Sequence, residues 1–273
     1  MTSLLHISDL HFGAPAVPTQ YEALEAMIAD GGYDVVAISG DVSQRARAGE
    51  FQRARAFIRH VERVSRTIVV PGNHDVAWWY SPLGMGDDTH LLAKYKAYVG
   101  EDPEPVLRVP GVTMVGLNTS HGVTAQTLTW NPRQWSIIGR LSRAQLATAK
   151  AAFEASPEGD ARVIVMHHNP VKGELSKRHG LKDTKKVLGA FAEMNVDLVL
   201  CGHDHQEAIH YVEHTRKGTV ISTAGTVSNR MRGGRPSSAN SITITPKQLE
   251  VASLVWSNES QTFVAGPVKC FDR

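Results

Sequence analysis

Apolar residues fall along this chain in two rhythms. Short continuous runs at Ser3–Ser8, Asp34–Ser39 and Thr67–Val70 read as strands buried on both faces. Between them the spacing changes to threes and fours. Leu24, Met27 and Ile28 mark one helix, and Phe51, Phe57, Ile58, Val61 and Val64 a second. Thr19-Gln-Tyr-Glu22 has the form of a capping box opening the first helix, and Gly31-Gly32 the form of its end. This strand–helix–strand–helix–strand order predicts βαβ crossovers and a parallel sheet segment.

Beyond residue 80 the alternation loosens. A helix is expected over 88–99, a strand at Val112–Asn118 and a long loop over 120–140 holding Trp130 and Trp135. Ser142-Arg-Ala-Gln145 forms a second capping box, with a helix running to Ala155. Val163–Met166 reads as a strand, Val187, Leu188, Phe191 and Met194 as a helix face, and Val196–Leu200 as a strand. Residues 208–256 hold several β-like runs, and 257–273 are weakly patterned. With no repeats and no linker, one domain over 1–273 is expected. The inserted loops 76–90, 120–140 and 171–185 would form a small cap.

Composition adds mostly exclusions. The 273 residues are 42% hydrophobic and 21% charged, ordinary for a globular protein. A net charge of +2 gives no bulk argument for nucleic acid or membrane. No apolar stretch reaches the roughly 18 residues that span a bilayer. The first strand already leads into chemistry at Asp9, so a cleaved leader is not expected and a cytoplasmic location is. Cys201 and Cys270 are far apart, and Cys201 reads as a small buried hydrophobe.

Polar clusters punctuate the ends of these runs. In order they are Asp9-Leu10-His11, Gly40-Asp41, Gly72-Asn73-His74-Asp75, His167-His168 and Gly202-His203-Asp204-His205. Asp9, Asp41 and Asn73 are 32 residues apart, about one βαβ unit per step, so each falls where sites form in α/β sheets. In an extended strand, residues two apart point the same way, so Asp9 and His11 can grip one cation, as can His203 and His205. Asp41 has two oxygens with which to bridge two metals. Asn73 offers a neutral oxygen, and His167 completes the set. Nitrogen and oxygen donors without thiolate favour manganese, iron, cobalt, nickel or zinc over a soft-metal site, and make all-oxygen calcium or magnesium unlikely; of these, manganese is the ion expected. Two such ions about 3.5–4 Å apart clamp a phosphate and acidify a shared water, whose hydroxide attacks phosphorus in line. His74 would face the other side of its turn, stabilising charge or protonating the leaving oxygen. Asp75 would hold His74 in one tautomer.

Together these motifs resemble the calcineurin-like metallophosphoesterases, over residues 3–245. The resemblance implies an α/β protein, a two-sheet β-sandwich flanked by helices, with βαβ units carrying a binuclear metal site at strand ends. It implies one ion on Asp9, His11, Asp41 and His205 and another on Asp41, Asn73, His167 and His203, with His74 catalytic. Gly40–Arg47 and Gly225–Gly234 resemble, more loosely, bacterial members close to cyclic-nucleotide phosphodiesterases. The family often carries Pro two residues after its single ligand His. Here the order His167-His168-Asn169-Pro170 leaves both histidines open, the strand end favouring His167.

The expected function is hydrolysis of a small nucleotide-type phosphodiester such as a cyclic nucleotide. His168, Arg230 and Arg232 are substrate candidates, and His121 a weaker one. A nuclease or DNA-repair exonuclease is the alternative. It would use the basic run Lys172, Lys177, Arg178, Lys182, Lys185 and Lys186, with Trp78, Trp79 and Tyr80 either stacking on bases or packing their loop. A nucleotide-pyrophosphate hydrolase, including a lipid-linked one, and a metal-stabilised scaffold are the other readings. The oligomeric state stays open, a homodimer included. His6 is expected in the core or at a sheet edge, and His60, His90, His179, His210 and His214 in solvent.

Overall fold

Two six-stranded sheets, each apolar on both faces, organise the chain. The computed structural model describes residues 1–77, 88–123, 135, 137–174, 177, 180–214 and 217–273. The first sheet holds β1 (Thr2–Ile7), β2 (Val35–Ile38), β3 (Arg66–Val69), β10 (Ser238–Ile244), β11 (Gln248–Ser257) and β12 (Thr262–Asp272), in the order β12-β11-β10-β1-β2-β3. The second holds β4 (Val106–Val109), β5 (Val112–Leu117), β6 (Ala161–His168), β7 (Leu198–Gly202), β8 (Ala208–Val212) and β9 (Thr219–Thr223), in the order β4-β5-β6-β7-β9-β8. Strands β1, β2 and β3 are parallel, as are β5, β6, β7 and β9.

Alternation along each strand sets the layers. Leu4, Val35, Ala37, Ile68 and Val251 of the first sheet pack against Met114, Val163, Val165, Leu198 and Leu200 of the second. Their neighbours face outward. Leu5, Ile7, Val36 and Ile38 bury against α1 (Pro18–Gly31) and α2 (Ala48–Val61). Val115, Ile164 and Val199 bury against α5 (Arg143–Glu154) and α6 (Thr184–Glu193). The result is the expected sandwich of two mixed sheets with helices on both sides. Two short helices, α3 (Asp88–Leu91) and α4 (Ala93–Tyr98), occupy the segment expected as one.

Some local expectations need correction. Helix α1 begins at Pro18 with Val17 as N-cap and no side-chain cap bond, so Thr19 does not open it. Proline is pre-set for the first helical turn and loses no needed N–H there. The Ser142 box is as expected, with the Gln145 N–H donating to Ser142 Oγ at 3.2 Å. The weakly patterned tail is the 11-residue edge strand β12. Strand β4 also went unread, since only alternate residues of it are partly covered. The Trp78, Trp79, Tyr80, Trp130, Arg178 and His179 readings lie outside the described residues, as do 78–87, 124–134 and 136 of the expected cap loops, whereas most of loop 171–185 is described.

At the amino end of β7, Asp197 is 2% exposed and fully engaged. It accepts from Arg273 Nε at 3.1 Å, from Lys217 Nζ and from the Arg162 N–H at 2.9 Å. No helix among the described residues is long and apolar enough to cross a membrane.

Candidate metal centre

The carboxyl ends of β1, β2, β6 and β7 converge on one point, and backbone pairing continues there past the strands. The N–H groups of Asp9, His11 and Phe12 donate to the carbonyls of Gly40, Asp41 and Val42 at 2.9–3.0 Å. The polar residues in this zipper are not extended. Asp9, His11, Asp41, His203 and His205 all have left-handed backbones, with φ between 48° and 74°. The same-side argument for residues two apart in a strand therefore does not apply. His203 and His205 point into different donor groups. Asp and His tolerate this conformation better than bulky residues, and it is a sign of a site whose surroundings over-determine it. Close approach sets the glycines beside them. A Cβ at Gly40 would come within 2.7 Å of His167 Nδ1, and one at Gly72 would overlap Asp41.

Two donor groups result. In the first, Asp9, His11, Asp41 and His205 are buried with their donor atoms within 4.8 Å of one another. His205 Nε2 lies 3.1 Å from Asp9 Oδ1 and 3.2 Å from His11 Nε2. In the second, Asn73 Oδ1 lies 3.1 Å from His167 Nε2 and 3.0 Å from His203 Nδ1. Asp41 Oδ2 touches both groups, 3.9 Å from His11 Nε2 and 3.4 Å from His167 Nε2.

The partners behind the rings decide what faces inward. His167 Nδ1 donates to the Ser39 carbonyl at 2.9 Å and His205 Nδ1 to the Arg230 carbonyl at 2.7 Å. Both Nε2 atoms therefore present lone pairs to the carboxylates and the Asn73 oxygen, which are themselves acceptors. Among the described residues Asp9 Oδ1 accepts no well-formed hydrogen bond, and His205 Nε2, 3.1 Å away, has its ring's other nitrogen on the Arg230 carbonyl. Acceptor facing acceptor in a buried site calls for a cation, so the residues fit two divalent ions.

Charge in this pocket follows the same logic. Burial opposes charge on Asp41, but His167 and His74 outweigh it and hold its carboxyl well below the usual range. Burial lowers His167 as well, and Asp41 overrides it, raising the imidazole to about 9, so that a proton and a metal ion compete for the same Nε2 lone pair. Burial, helped by His167, takes His203 down to about 3, and burial keeps His11 well below its ordinary value.

His74 stands beside these groups. Its backbone N–H donates to Asp41 Oδ1 at 2.8 Å, its Nδ1 donates to the Gln44 carbonyl at 2.7 Å, and its Nε2 accepts from Arg230 Nη1 at 3.1 Å. Asp75 does not supply the tautomer-setting bond on Nδ1. Its oxygens accept from the N–H groups of Val42, Ser43 and Gly72 and from Ser43 Oγ, tying two site loops together. Burial and the nearby Asp41 push Asp75 up to about 7.

His168 is buried beside His203, ring centroids 4.5 Å apart, with Nδ1 2.7 Å from Thr119 Oγ1. The β6–β7 register shifts between Val165 and His168, which brings His168 into a cluster with His167 and His203 that overlaps the second donor group. Arg230 reaches the centre, also donating to Gln44 Oε1 at 3.3 Å, whereas half-exposed Arg232 pairs with Asp204 at 3.6 Å. His6 is buried in β1 with Nε2 2.9 Å from Ser39 Oγ. Cys201 is buried, and burial pushes its thiol up to about 12.

Ser39, Gln44 and Thr119 were not singled out from the sequence. Their contributions are a carbonyl, a carbonyl with an amide, and a hydroxyl from another strand. Only Gln44, three residues beyond Asp41, left a positional hint.

Residues 2–207 match the calcineurin-like phosphoesterase family, and the chain belongs to it. Among named relatives, a 3',5'-cyclic adenosine monophosphate phosphodiesterase of Vibrio vulnificus is 27% identical over 180 residues, covering 64% of this chain and 56% of that protein. Among solved structures, purple acid phosphatase PPD1 of yellow lupin superposes with a TM-score of 0.70 at 10% identity, covering 100% of this chain and 54% of that one. GAP50, the anchor in the inner membrane complex of Plasmodium, gives 0.57 at 12% identity, covering 99% and 88%. These two likenesses are of fold. The chain thus spans little more than half the length of the phosphodiesterase and of the phosphatase.

Proposed function

We propose that this chain is a metal-dependent phosphodiesterase acting on nucleotide-type phosphodiesters, 3',5'-cyclic nucleotides first among them. One observation carries the reading. Asp41 Oδ2 stands between two buried donor groups, 3.9 Å from His11 Nε2 and 3.4 Å from His167 Nε2, with His74 and Arg230 at one side. The likeness to a relative named as a cyclic adenosine monophosphate phosphodiesterase supports the choice of substrate.

In this reading Asp9, His11, Asp41 and His205 hold one ion, and Asp41, Asn73, His167 and His203 the other. Manganese leads, and iron, zinc, cobalt and nickel also suit these donors. Two such ions, when bound, supply Lewis acidity to a phosphoryl oxygen and make water a nucleophile at neutral pH. The chain's own residues do the rest. Ser39 and the Arg230 carbonyl fix the tautomers of His167 and His205, keeping their Nε2 atoms bare. Arg230 Nη1 binds a non-bridging phosphoryl oxygen, charge-assisted and partly out of water. That contact takes it from His74, whose freed Nε2, with Nδ1 held on the Gln44 carbonyl, takes up a proton from solvent and passes it to the leaving oxygen. Asp75 keeps the turn at Ser43 against Gly72, so that His74 stays aimed. His168, braced by Thr119, fixes the His203 ring. Arg232, held by Asp204, lies at the rim. The 273 residues act here as one domain, in the cytoplasm, on a small substrate.

The test compares bis(p-nitrophenyl) phosphate with p-nitrophenyl phosphate, using chelated protein reloaded with each metal in turn, followed by cyclic nucleotides. Diester turnover well above monoester turnover is expected. A monoester preference would move the reading to a phosphatase, and bound metal without turnover to a scaffold.

A further inference from the structure

The modest net charge conceals a strong local imbalance. Residues 45–66 hold seven arginines against two glutamates, a formal +5 in a chain whose total is +2. Six of the seven are exposed and Arg55 is half-buried. Among the described residues none of them takes part in an ion pair. The basic side chains that do, such as Lys217, Arg235 and Arg273, lie elsewhere. Glu50 offers no relief, because its Oε2 accepts from the backbone N–H groups of Arg45 at 2.7 Å and Arg47 at 3.2 Å. So many like charges repel one another, and a bound polyanion removes that cost.

A cleft runs beside them. The turn at Gly13-Ala14 and the start of α2 border an open cleft of about 750 Å³, with Arg47, Arg53 and Glu50 on its walls, the Glu50 carboxylate being turned to backbone N–H groups. This cleft adjoins the metal centre. Gly13 lies two residues past His11, and a Cβ on it would sit 3.1 Å from Gln44 Cβ. Gln44 in turn bonds Arg230 and His74.

We propose that this cleft binds the phosphate next along the chain from the one at the metal centre, so that short single-stranded oligonucleotides are substrates. This inference rests on the phosphodiesterase reading above. Continuity with the centre favours a ligand whose phosphates repeat along a chain. An anionic bilayer fits less well, since Arg47 and Arg53 line a cleft and, among the described residues, Val64 is the one large exposed apolar side chain of the basic segment.

The experiment measures anisotropy of a fluorescein-labelled oligothymidylate, with protein as purified and after chelation, across a salt series. Arg47→Gln/Arg53→Gln should weaken binding about tenfold at ~0.1 M salt and reduce the slope of log affinity against log salt by about 1.4, or 0.7 per lost contact. Arg47→Lys/Arg53→Lys should keep most of both. With metal-loaded protein the glutamine pair should raise KM for oligonucleotide cleavage and spare kcat, leaving bis(p-nitrophenyl) phosphate turnover unchanged. Unaltered affinity and slope in the glutamine pair overturn the proposal. So does a lysine pair no better than the glutamine pair, or binding to phosphatidylserine vesicles with none to the oligonucleotide. Wild-type turnover of the small diester with a bound but uncleaved oligonucleotide removes the substrate claim alone. An enzyme inert to both, yet binding with the expected slope, removes the hydrolytic reading and leaves the binding surface.

Discussion

Two buried carboxylates sit at opposite ends of the same sandwich and meet opposite company. Asp197, at the amino end of β7, faces donors only: Arg273, Lys217 and the Arg162 N–H. Asp41, at the carboxyl end of β2, faces His167 and His11 at 3.4 and 3.9 Å, within a pocket whose other polar atoms are largely acceptors. The first cluster is satisfied by the chain itself. The second is complete only with something added. A buried polar group matched by complementary partners serves the fold, whereas a set of lone pairs turned on each other serves a ligand.

The contrast can be broken at either end. Asp41→Asn should have the largest effect, stripping both ions and taking turnover to background. Loss of a shared ligand should exceed the roughly 10–100-fold in metal affinity typical of outer-shell changes. Plasma mass spectrometry showing two ions per chain in that variant would refute the shared position. His74→Ala should keep both ions yet lower turnover by about 10²–10⁴. A wild-type rate there would remove it from the chemistry. Asp197→Asn should leave metal content alone and cost about 3–5 kcal/mol of stability, because Arg273 and Lys217 keep their charges without a partner. Urea titration measures this, and an unshifted midpoint would mean the cluster contributes nothing. The smallest effects lie at the helix starts. Ser142→Ala should cost about 1 kcal/mol, whereas Thr19→Ala should stay within about 0.5 kcal/mol. Equal losses would restore the cap at Thr19.

The satisfied and unsatisfied clusters were not equally legible beforehand. Asp9, His11, Asp41, Asn73, His167, His203 and His205 stand out because their residue types recur at βαβ intervals after apolar runs. Asp197 lies inside the run Val196–Leu200 read as a strand and carries no signal of its own, since its partners Arg273 and Lys217 are distant in sequence. The reason first assigned to Asp9 and His11 failed although their grouping did not. Periodicity describes extended strands, and these residues lie in left-handed turns that no periodicity signals. Strand β12 was missed for a related cause. At the sheet edge most of its side chains are exposed, which leaves little apolar alternation to read.

The order in which the chain is made bears on the centre. Thr226 Oγ1 bonds the Asp9 carbonyl at 2.7 Å, the Arg230 carbonyl orients His205, and β10 covers the open side of β1. A ribosome emitting this chain from its amino end releases Asp9, Asp41 and Asn73 early, and the segment that braces them, residues 226–244, about 150 residues after Asn73. The bracing of these side chains by their own chain is thus a late event in the life of each nascent molecule.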